Sequence, residues 1–478
     1  MITRWGVMLA LTLVLAYPTT TSAVAQSDPG PPATSIAVVL RIATGPIVQL
    51  DGTPHETANR RLSRLAGSLE TWREPDTGFP LALAVSPVLC EELDLLDTPQ
   101  ARRVLSLIKT LARRSDVLAA PYADVRLLYL KDESDIRDEL ANGIRTLREC
   151  MDRTPIDVLM PPMLAIDART VDAARSLGID VSVSDLAGTT VRSRPTEGHG
   201  AITLIPPANP SAFSSGRPAS GALIVDASEP SWASRIATAA AAGTVGTVAV
   251  SALTADVPEV FVEFPAPPMP GDGRRRAVDR ARRALDSFES YTLADNMLAR
   301  VYRAAYARAL ATTSDEWFQE FNSGPTPDRT SGERASKRLA DAIRDQERKL
   351  TTSGETVTFT SRRGSVPVTV TNAADYRVRV LVTVSSPKLD FPDGSSRVVT
   401  IDPPGEPIRP FVAITRSTGT FPMIVTLTSP DRSVVFDRAV LSVRSAAVNF
   451  SAIVLTAGGA IFLFGWFARR RARRRSAA

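Results

Sequence analysis

The sequence predicts an α/β domain built as a (β/α) barrel-like unit, followed by a helical module, an all-β Ig-like sandwich and one C-terminal transmembrane helix. Three patterns support this order. Strand-like and helix-like stretches alternate over residues 34–265, helical periodicity dominates residues 273–350, and apolar residues alternate with polar ones over residues 355–445. An uncharged apolar segment then covers residues 448–468.

The first domain, residues 34–265, contains short runs such as Leu81–Ser86 that are apolar without alternation, which is typical of parallel strands covered on both faces. Segments such as Ser134–Met151 repeat apolar residues every three or four positions, which predicts helices with one buried stripe. Strand–helix–strand repetition gives an α/β sheet or a (β/α) barrel, and about seven to nine strands favour the barrel. The predicted strands are Ile36–Arg41, Leu81–Ser86, Val117–Ala120, Ile156–Met160, Ile179–Ser184, Ala201–Ile205, Ala222–Asp226, Val245–Val250 and Val260–Phe264. The predicted helices are Glu56–Trp72, Gln100–Arg114, Ser134–Met151, Ala168–Leu177 and Trp232–Ala242.

In the second half of the chain, the spacing of apolar residues changes twice. After the proline-rich break PAPPMPGD, the stretch Arg274–Leu310 reads as helix with one apolar face, and Glu333–Leu350 reads as a further helix. From residue 355 the period is two, as in Val366, Val368 and Val370. This alternation, punctuated by Pro/Gly/Asp turns, predicts an antiparallel sandwich of about 90 residues.

The two ends of the chain predict its topology. Residues 1–25 read as a secretory signal peptide, in which Arg4 precedes an apolar run and a small-residue cleavage site. Residues 448–468 carry no charge over a length that suits a transmembrane helix, and the arginine-rich residues 469–478 read as a cytoplasmic tail. We therefore expect a single-pass cell-membrane protein with an extracytoplasmic N-terminal region, held in membrane lipid by its last helix.

Composition excludes several classes of function. The formal net charge of +5 includes Arg4 and six arginines of the tail, and the rest of the chain carries about −2, so the basic pI is no sign of nucleic-acid binding. The two histidines, His55 and His199, lack the spacing of a zinc site, and no phosphate-binding loop is present. No metal and no cofactor is expected. Cys90 and Cys150 could form one disulfide, or each could be a buried thiol.

The C-terminal part carries a family resemblance. The runs TSRRGSVPVTVTNAADYRVRVLVTVSSPKLDFPDG (Thr360–Gly394) and GTFPMIVTLTSPDRSVVFDRAVLSVR (Gly419–Arg444), with the helical NMLARVYRAAYARAL, resemble an actinobacterial family of envelope proteins, the domain of unknown function DUF6049. The resemblance implies a membrane anchor and an envelope setting. Members are often encoded beside the lipid-II flippase of peptidoglycan synthesis, so it also implies a cell-wall glycan or a membrane protein of that process as partner.

The N-terminal part is similar to the barrel of glycoside hydrolases and polysaccharide deacetylases. The runs that carry this similarity are LALAVSPVLCEEL, LAAPYADVRLL and IDVLMPPMLAIDARTVDAARSLGIDVSVSD. Deacetylases of that kind hold a metal with one Asp and two His, and no such His pair exists in this chain. The first strand also lacks the paired aspartates of that family, so we do not expect metal-dependent deacetylation.

Hydrolysis of a glycosidic bond would need two carboxyl groups at the C-terminal ends of barrel strands. The alternative is that such residues cap helices or hold turns, and the middle strand Ile156–Met160 ends without a carboxylate. We therefore expect a non-catalytic domain (a pseudoenzyme) that binds a glycan or a protein, with a membrane-tethered glycoside hydrolase as the alternative. Candidate catalytic residues are Asp124, Asp185, Asp226 and Glu263, and candidate ligand-binding residues are Tyr122 and Trp232.

Small residues recur along one side of the predicted membrane helix. Ala452, Thr456 and Ala460 are spaced four apart, which would let a second helix approach closely. Small residues are also common in membrane spans, so a packing role for these three residues is one of two interpretations.

Overall fold

The computed structural model describes residues 35–73, 79–193, 200–209, 220–243, 245–255, 257–266, 272–311, 331–353, 356–445 and 450–475. The predicted signal peptide, residues 1–25, lies outside the described residues.

The N-terminal domain is built on one curled, mostly parallel sheet. Its ten strands have the order β10-β6-β7-β5-β4-β3-β2-β1-β8, and β9 pairs with the start of β1. Beyond β7, a parallel bridge joins Pro207 to Ala222 of β8, and the Ala208 N–H donates to the Ala222 carbonyl at 2.7 Å. The bridge brings the two ends of a row of seven parallel strands together, which confirms the predicted barrel-like architecture. The strands are β1 Ser35–Ile42, β2 Leu81–Val85, β3 Asp116–Ala119, β4 Ile156–Leu159, β5 Val181–Val183, β6 Val191–Ser193, β7 Thr203–Ile205, β8 Gly221–Asp226, β9 Gly246–Thr247 and β10 Glu259–Val260.

Alternate residues of the strands separate the inside of the curl from its outside. In β1, Ala37 and Val39 belong to an inner cluster, whereas Ile36, Val38 and Leu40 pack against the surrounding helices. Small and β-branched side chains from neighbouring strands complete the inner cluster, so the barrel interior is a packed core. The surrounding helices are α1 Ala58–Arg73, α2 Pro87–Leu96, α3 Pro99–Ala112, α4 Glu133–Met151, α5 Ala168–Ser176 and α6 Ser231–Ala241.

Two predicted strands reduce to two residues each. The prediction Val245–Val250 reduces to the two residues of β9, because the chain then turns into a 3₁₀ helix that places Val250 and Leu253 in the inner cluster. The prediction Val260–Phe264 reduces to β10, which within the described residues is the edge strand of the sheet and pairs with β6. The short strand β6 and the helix α2 were not predicted.

The helical module consists of α7 Asp272–Tyr291, α8 Met297–Ala311 and α9 Ser331–Glu347. The prediction of one continuous helix over Arg274–Leu310 is wrong, because the helix is interrupted between Tyr291 and Met297. The break is stabilised by Asn296, whose side-chain oxygen accepts from the Ala299 N–H at 3.0 Å and so caps α8. Phe288 of α7 packs edge-to-face on Tyr302 of α8, with 5.0 Å between ring centroids.

The C-terminal β region contains two sheets, with the orders β11-β13-β17-β15 and β12-β19-β18-β14-β16. The predicted alternation is confirmed: Val366, Val368 and Val370 of β13 are buried, and they share one core with Val380 and Val382 of β14 in the other sheet. The strands are β11 Leu350–Ser353, β12 Val357–Phe359, β13 Arg363–Asn372, β14 Val378–Ser385, β15 Leu389–Asp390, β16 Ser396–Ile401, β17 Gly405–Thr415, β18 Gly419–Thr428 and β19 Val435–Ser445.

The last helix, α10, runs from Phe450 to Arg475 and covers most of the predicted membrane segment. Within the part of the chain that the structure describes, no helix meets the combined length and hydropathy needed to cross a membrane. The membrane span over 448–468, and the packing role of Ala452, Thr456 and Ala460, therefore stay predictions.

Candidate functional site at the barrel mouth

The carboxyl ends of the parallel strands bring four polar side chains to one end of the barrel. Arg41 lies near the end of β1, Ser86 follows β2, Asp124 follows β3 and Asp226 ends β8. Arg41 and Asp226 are register partners on neighbouring strands. This end, which we call the barrel mouth, is where (β/α) barrel enzymes place their active sites, so its geometry decides whether the domain can catalyse a reaction.

Asp124 points into the protein. Asp124 is only 7% exposed, and its carboxylate accepts a hydrogen bond from the Ser86 hydroxyl. Burial raises the pKa of Asp124 above its ordinary value, although the Ser86 hydrogen bond and the positive charges of Arg308 and Arg41 act in the opposite direction. The carboxylate therefore already has partners inside the protein.

Tyr122, on the same loop, is also committed to internal contacts. It is 4% exposed, and its hydroxyl donates to the carboxylate of Glu91 on α2. Burial, reinforced by the negative charge of Glu91, raises the pKa of Tyr122 well above its ordinary value. The Tyr122 N–H donates to the Glu139 carbonyl of α4 at 3.1 Å, so the loop after β3 is held from two sides.

Glu139 and Gly143 of α4 complete the support of this loop. The Glu139 carboxylate accepts from the Ala123 N–H, and burial raises the pKa of Glu139 to about 7. At Gly143 a β-carbon would lie 2.0 Å from the Ala120 carbonyl oxygen, so only glycine permits this close approach of the helix.

The helical module is attached beside the barrel mouth through a buried ion pair. Arg308 of α8 donates from Nε and Nη2 to the two carboxylate oxygens of Glu92 on α2, at 3.1 and 2.7 Å, and the two side chains are 6% and 2% exposed. The third nitrogen, Nη1, donates to the Thr44 carbonyl after β1 at 2.9 Å. This arrangement satisfies the guanidinium in a planar, bidentate geometry and ties the module to the barrel.

The cavity beside Asp124 is small. The cavity lined by Arg41, Ser86, Asp124, Met160 and Pro161 has a free volume of about 20 Å³. A single buried water needs roughly 10–15 Å³ by the same measure. The cavity therefore has room for about one water molecule and cannot accept a sugar ring.

Of the predicted carboxylates, Asp124, Asp185 and Asp226 follow or end parallel strands at the barrel mouth. Asp226 is half-buried, and its Oδ1 accepts from the Ser228 N–H at 2.7 Å, which is a turn-stabilising contact at the start of the loop to α6. Asp185 follows β5 and is exposed. The placement of Glu263 at the end of a barrel strand is wrong, because it lies in the exposed segment after β10, which pairs outside the barrel strands.

Trp232 lies in the first turn of α6, which follows β8. Its indole N–H donates to Glu229 at 2.9 Å, and the Arg235 guanidinium stacks over its ring at 5.1 Å from the centroid. One ring face is thus covered from within the helix.

The buried polar residues Glu91, Glu92, Glu139 and Arg308 were missed by the sequence interpretation. A signal for two of them exists, since Glu91 and Glu92 interrupt the apolar run PVLCEELDLL. Charged residues are almost never fully buried unless they are paired, so such a doublet in an apolar helix predicts internal partners. Among the described residues, no group of three or more His, Cys, Asp and Glu side chains could hold a metal ion.

Cys90 and Cys150 form a disulfide that joins α2 to α4, with 6.0 Å between their Cα atoms. Of the two interpretations that the sequence left open, the structure shows the disulfide.

No family model matches the chain, and no curated protein matches it in sequence. Among solved structures, the chain is similar to the α-amylase AmyC of Thermotoga maritima, with 10% identity and a TM-score of 0.46 over 66% of this chain and 93% of that one. It is also similar to a GH57 branching enzyme of Thermococcus kodakaraensis, with 13% identity and a TM-score of 0.44 over 66% and 89% of the two chains. A deacetylase of Streptococcus pyogenes matches 32% of this chain and 84% of its own, with 12% identity and a TM-score of 0.21.

These neighbours include glycoside hydrolases and a deacetylase, but at such identities and TM-scores the similarity carries no inference about activity. The resemblance to the DUF6049 family has no matching family model and stays a prediction.

Proposed function

We propose that this chain is a cell-envelope protein whose extracytoplasmic barrel-like domain binds a glycan or a protein partner without catalysing a reaction. The observation that carries this proposal is the state of the barrel mouth. Asp124 is hydrogen-bonded to Ser86, the Arg308–Glu92 ion pair fastens the helical module beside the strand ends, and the cavity lined by Ser86, Asp124 and Pro161 has about 20 Å³ of free volume.

The chemistry of glycoside hydrolysis explains why these features weigh against an enzyme. Two carboxyl groups must flank the bond, about 5–5.5 Å apart for retention and roughly 6.5–9.5 Å apart for inversion, with the sugar between them. Asp124 is turned inward and Asp226 holds a turn, so neither side chain is presented to an open cleft.

The envelope location rests on independent features. The disulfide between Cys90 and Cys150 supports an oxidising compartment outside the cytoplasm. The uncharged residues 448–468 and the arginines that follow support a single span with a cytoplasmic tail, on which the two C-terminal sheets would stand as an Ig-like stalk. The family resemblance supports a partner in cell-wall synthesis, either glycan or membrane protein.

Complementation of a deletion strain tests the proposal. Chains carrying Asp124→Asn or Asp226→Asn should restore the envelope phenotype as well as the natural chain does, because neither carboxylate has a chemical role. Loss of complementation by either variant, with normal protein level and membrane fractionation, would support the membrane-tethered glycoside hydrolase. A wild-type chain found in the soluble fraction after cell lysis would contradict the predicted anchor.

A further inference from the structure

A second, larger cleft lies between four helices and is distinct from the cavity beside Asp124. It is formed by α2, α3, α4 and α8, has a free volume of about 500 Å³, and includes the Cys90–Cys150 disulfide in its wall. We call it the disulfide cleft. Its size falls within the range of roughly 300–1,000 Å³ that is typical of sites for small ligands. Its charged lining residues are Glu91, Asp94, Lys109, Arg145, Glu149, Arg300 and Arg303.

Two of the four cations in the disulfide cleft are neutralised by the protein. Arg300 donates to Glu91 at 3.3 Å and to Asp94 at 2.8 Å. Arg303 donates to Glu289 of α7 at 2.7 Å. These ion pairs connect α8 to α2 and to α7, and they leave Glu91 and Asp94 unavailable to other cations.

The other two cations have no such partner. Within the described ranges, neither Lys109 of α3 nor Arg145 of α4 forms an ion pair, and the Arg145 guanidinium donates to the neutral Asn142 side chain at 2.9 Å. Glu149 is the one carboxylate of the cleft lining without an ion pair among the described residues. The cleft therefore offers two positive charges against one negative charge, beside the hydroxyl of Thr146 and the apolar side chain of Leu105.

We propose that the disulfide cleft binds an acidic saccharide, with its carboxylate or phosphate group held between Lys109 and Arg145. The guanidinium supplies a planar fork for an oxyanion and the ammonium supplies a compact second charge. The volume of the cleft accommodates one or two sugar rings, which can lie against Leu105 and hydrogen-bond to Thr146. The inference rests on the proposed function, because it names the ligand class for a domain that binds without turnover.

The test measures binding by titration calorimetry with the full chain as it is expressed and purified. The ligands are glucuronic acid, glucose 6-phosphate, neutral glucose and inorganic phosphate. The two acidic sugars should bind, and the Lys109→Gln/Arg145→Gln variant should bind them at least about tenfold more weakly, because two charge-assisted contacts are lost. The variant should keep its melting temperature, because the two side chains have no ion-pair role in the described structure.

Arg113→Gln/Lys131→Gln is the matched control, since it removes the same charge from exposed positions outside the cleft lining. Its affinity for the acidic sugars should equal that of the natural chain. Equal binding of neutral glucose would overturn the proposal, as would unchanged affinity in the Lys109/Arg145 variant. Phosphate binding as tight as that of glucose 6-phosphate would also overturn it, since the site would then hold a free anion only. Release of new reducing ends from a polysaccharide would refute the proposed function instead, and is measured separately.

Discussion

The buried ion pair between Glu92 and Arg308 attaches the helical module beside the barrel mouth, and its removal tests how strongly it stabilises the fold. Replacing Glu92 with Leu leaves the Arg308 guanidinium buried at 6% exposure without its bidentate acceptor. Breaking one side of a buried pair costs about 3–5 kcal/mol, because the remaining charge stays desolvated. Arg308→Met should cost a similar amount, since it strands the Glu92 carboxylate at 2% exposure and also removes the bond to the Thr44 carbonyl.

The double variant Glu92→Leu/Arg308→Met should be less destabilised than either single variant. Replacing both charges by apolar side chains removes the uncompensated charge and is often neutral or stabilising. The free energy of unfolding is measured by urea denaturation. Arg348→Met is the control, because the exposed pair of Arg348 and Asp345, with side chains 73% and 65% exposed, contributes at most about 1 kcal/mol. A loss below about 1 kcal/mol in both single variants, or additive losses in the double variant, would refute the buried-pair reasoning.

Three further predictions concern the supports of the same region. Glu139 has a folded-state pKa of about 7 against an ordinary value of 4.5, so its contribution to stability is fully present below pH 4.5 and is lost as pH rises through 7. Urea denaturation at pH 5 and at pH 7.5 should show a loss of about 3 kcal/mol that the Glu139→Gln variant lacks and a Glu149→Gln control keeps, and an unchanged slope in Glu139→Gln would contradict this. Gly143→Ala should destabilise the fold by about 1–3 kcal/mol, because the new β-carbon meets the Ala120 carbonyl. The control is Gly67→Ala on α1, where a β-carbon meets nothing within 4 Å. Equal urea midpoints for the two variants would contradict the close approach. Cys90→Ala removes the disulfide that closes a loop of 60 residues and should lower the free energy of unfolding by about 2–4 kcal/mol. Its urea midpoint should be lower than that of the natural chain measured without reductant. Equal midpoints would contradict the disulfide.

Much of the barrel-like domain could be predicted from the sequence, because its strands are buried on both faces and therefore read as continuous apolar runs. Strands such as β1 and β8 appear within one or two residues of their predicted limits. The helix α2 was not predicted because it is only ten residues long, from Pro87 to Leu96, and contains two glutamates. Its apolar periodicity is therefore hard to recognise. The break at Asn296 escaped because it depends on a side-chain cap, which leaves no trace in hydrophobic periodicity.

The barrel mouth was harder to predict than the fold. Sequence position alone placed Asp124 and Asp226 correctly at strand ends, but it could not show that Asp124 turns toward Ser86. The residue that attaches the helical module beside the mouth, Arg308, is 216 residues from Glu92 in the chain, and no local pattern links them. Long-range pairs of this kind decide which elements lie beside a barrel end.

The measurement that tests the central claim most directly is an assay for new reducing ends. A purified fragment of residues 26–446 is incubated with cell-wall polysaccharides beside its Asp124→Asn/Asp226→Asn variant, with folding of both checked by circular dichroism. A non-catalytic barrel mouth predicts that the natural sequence releases no more reducing ends than the variant. Product that forms with the natural sequence and disappears in the folded variant would show a working hydrolase and contradict the account.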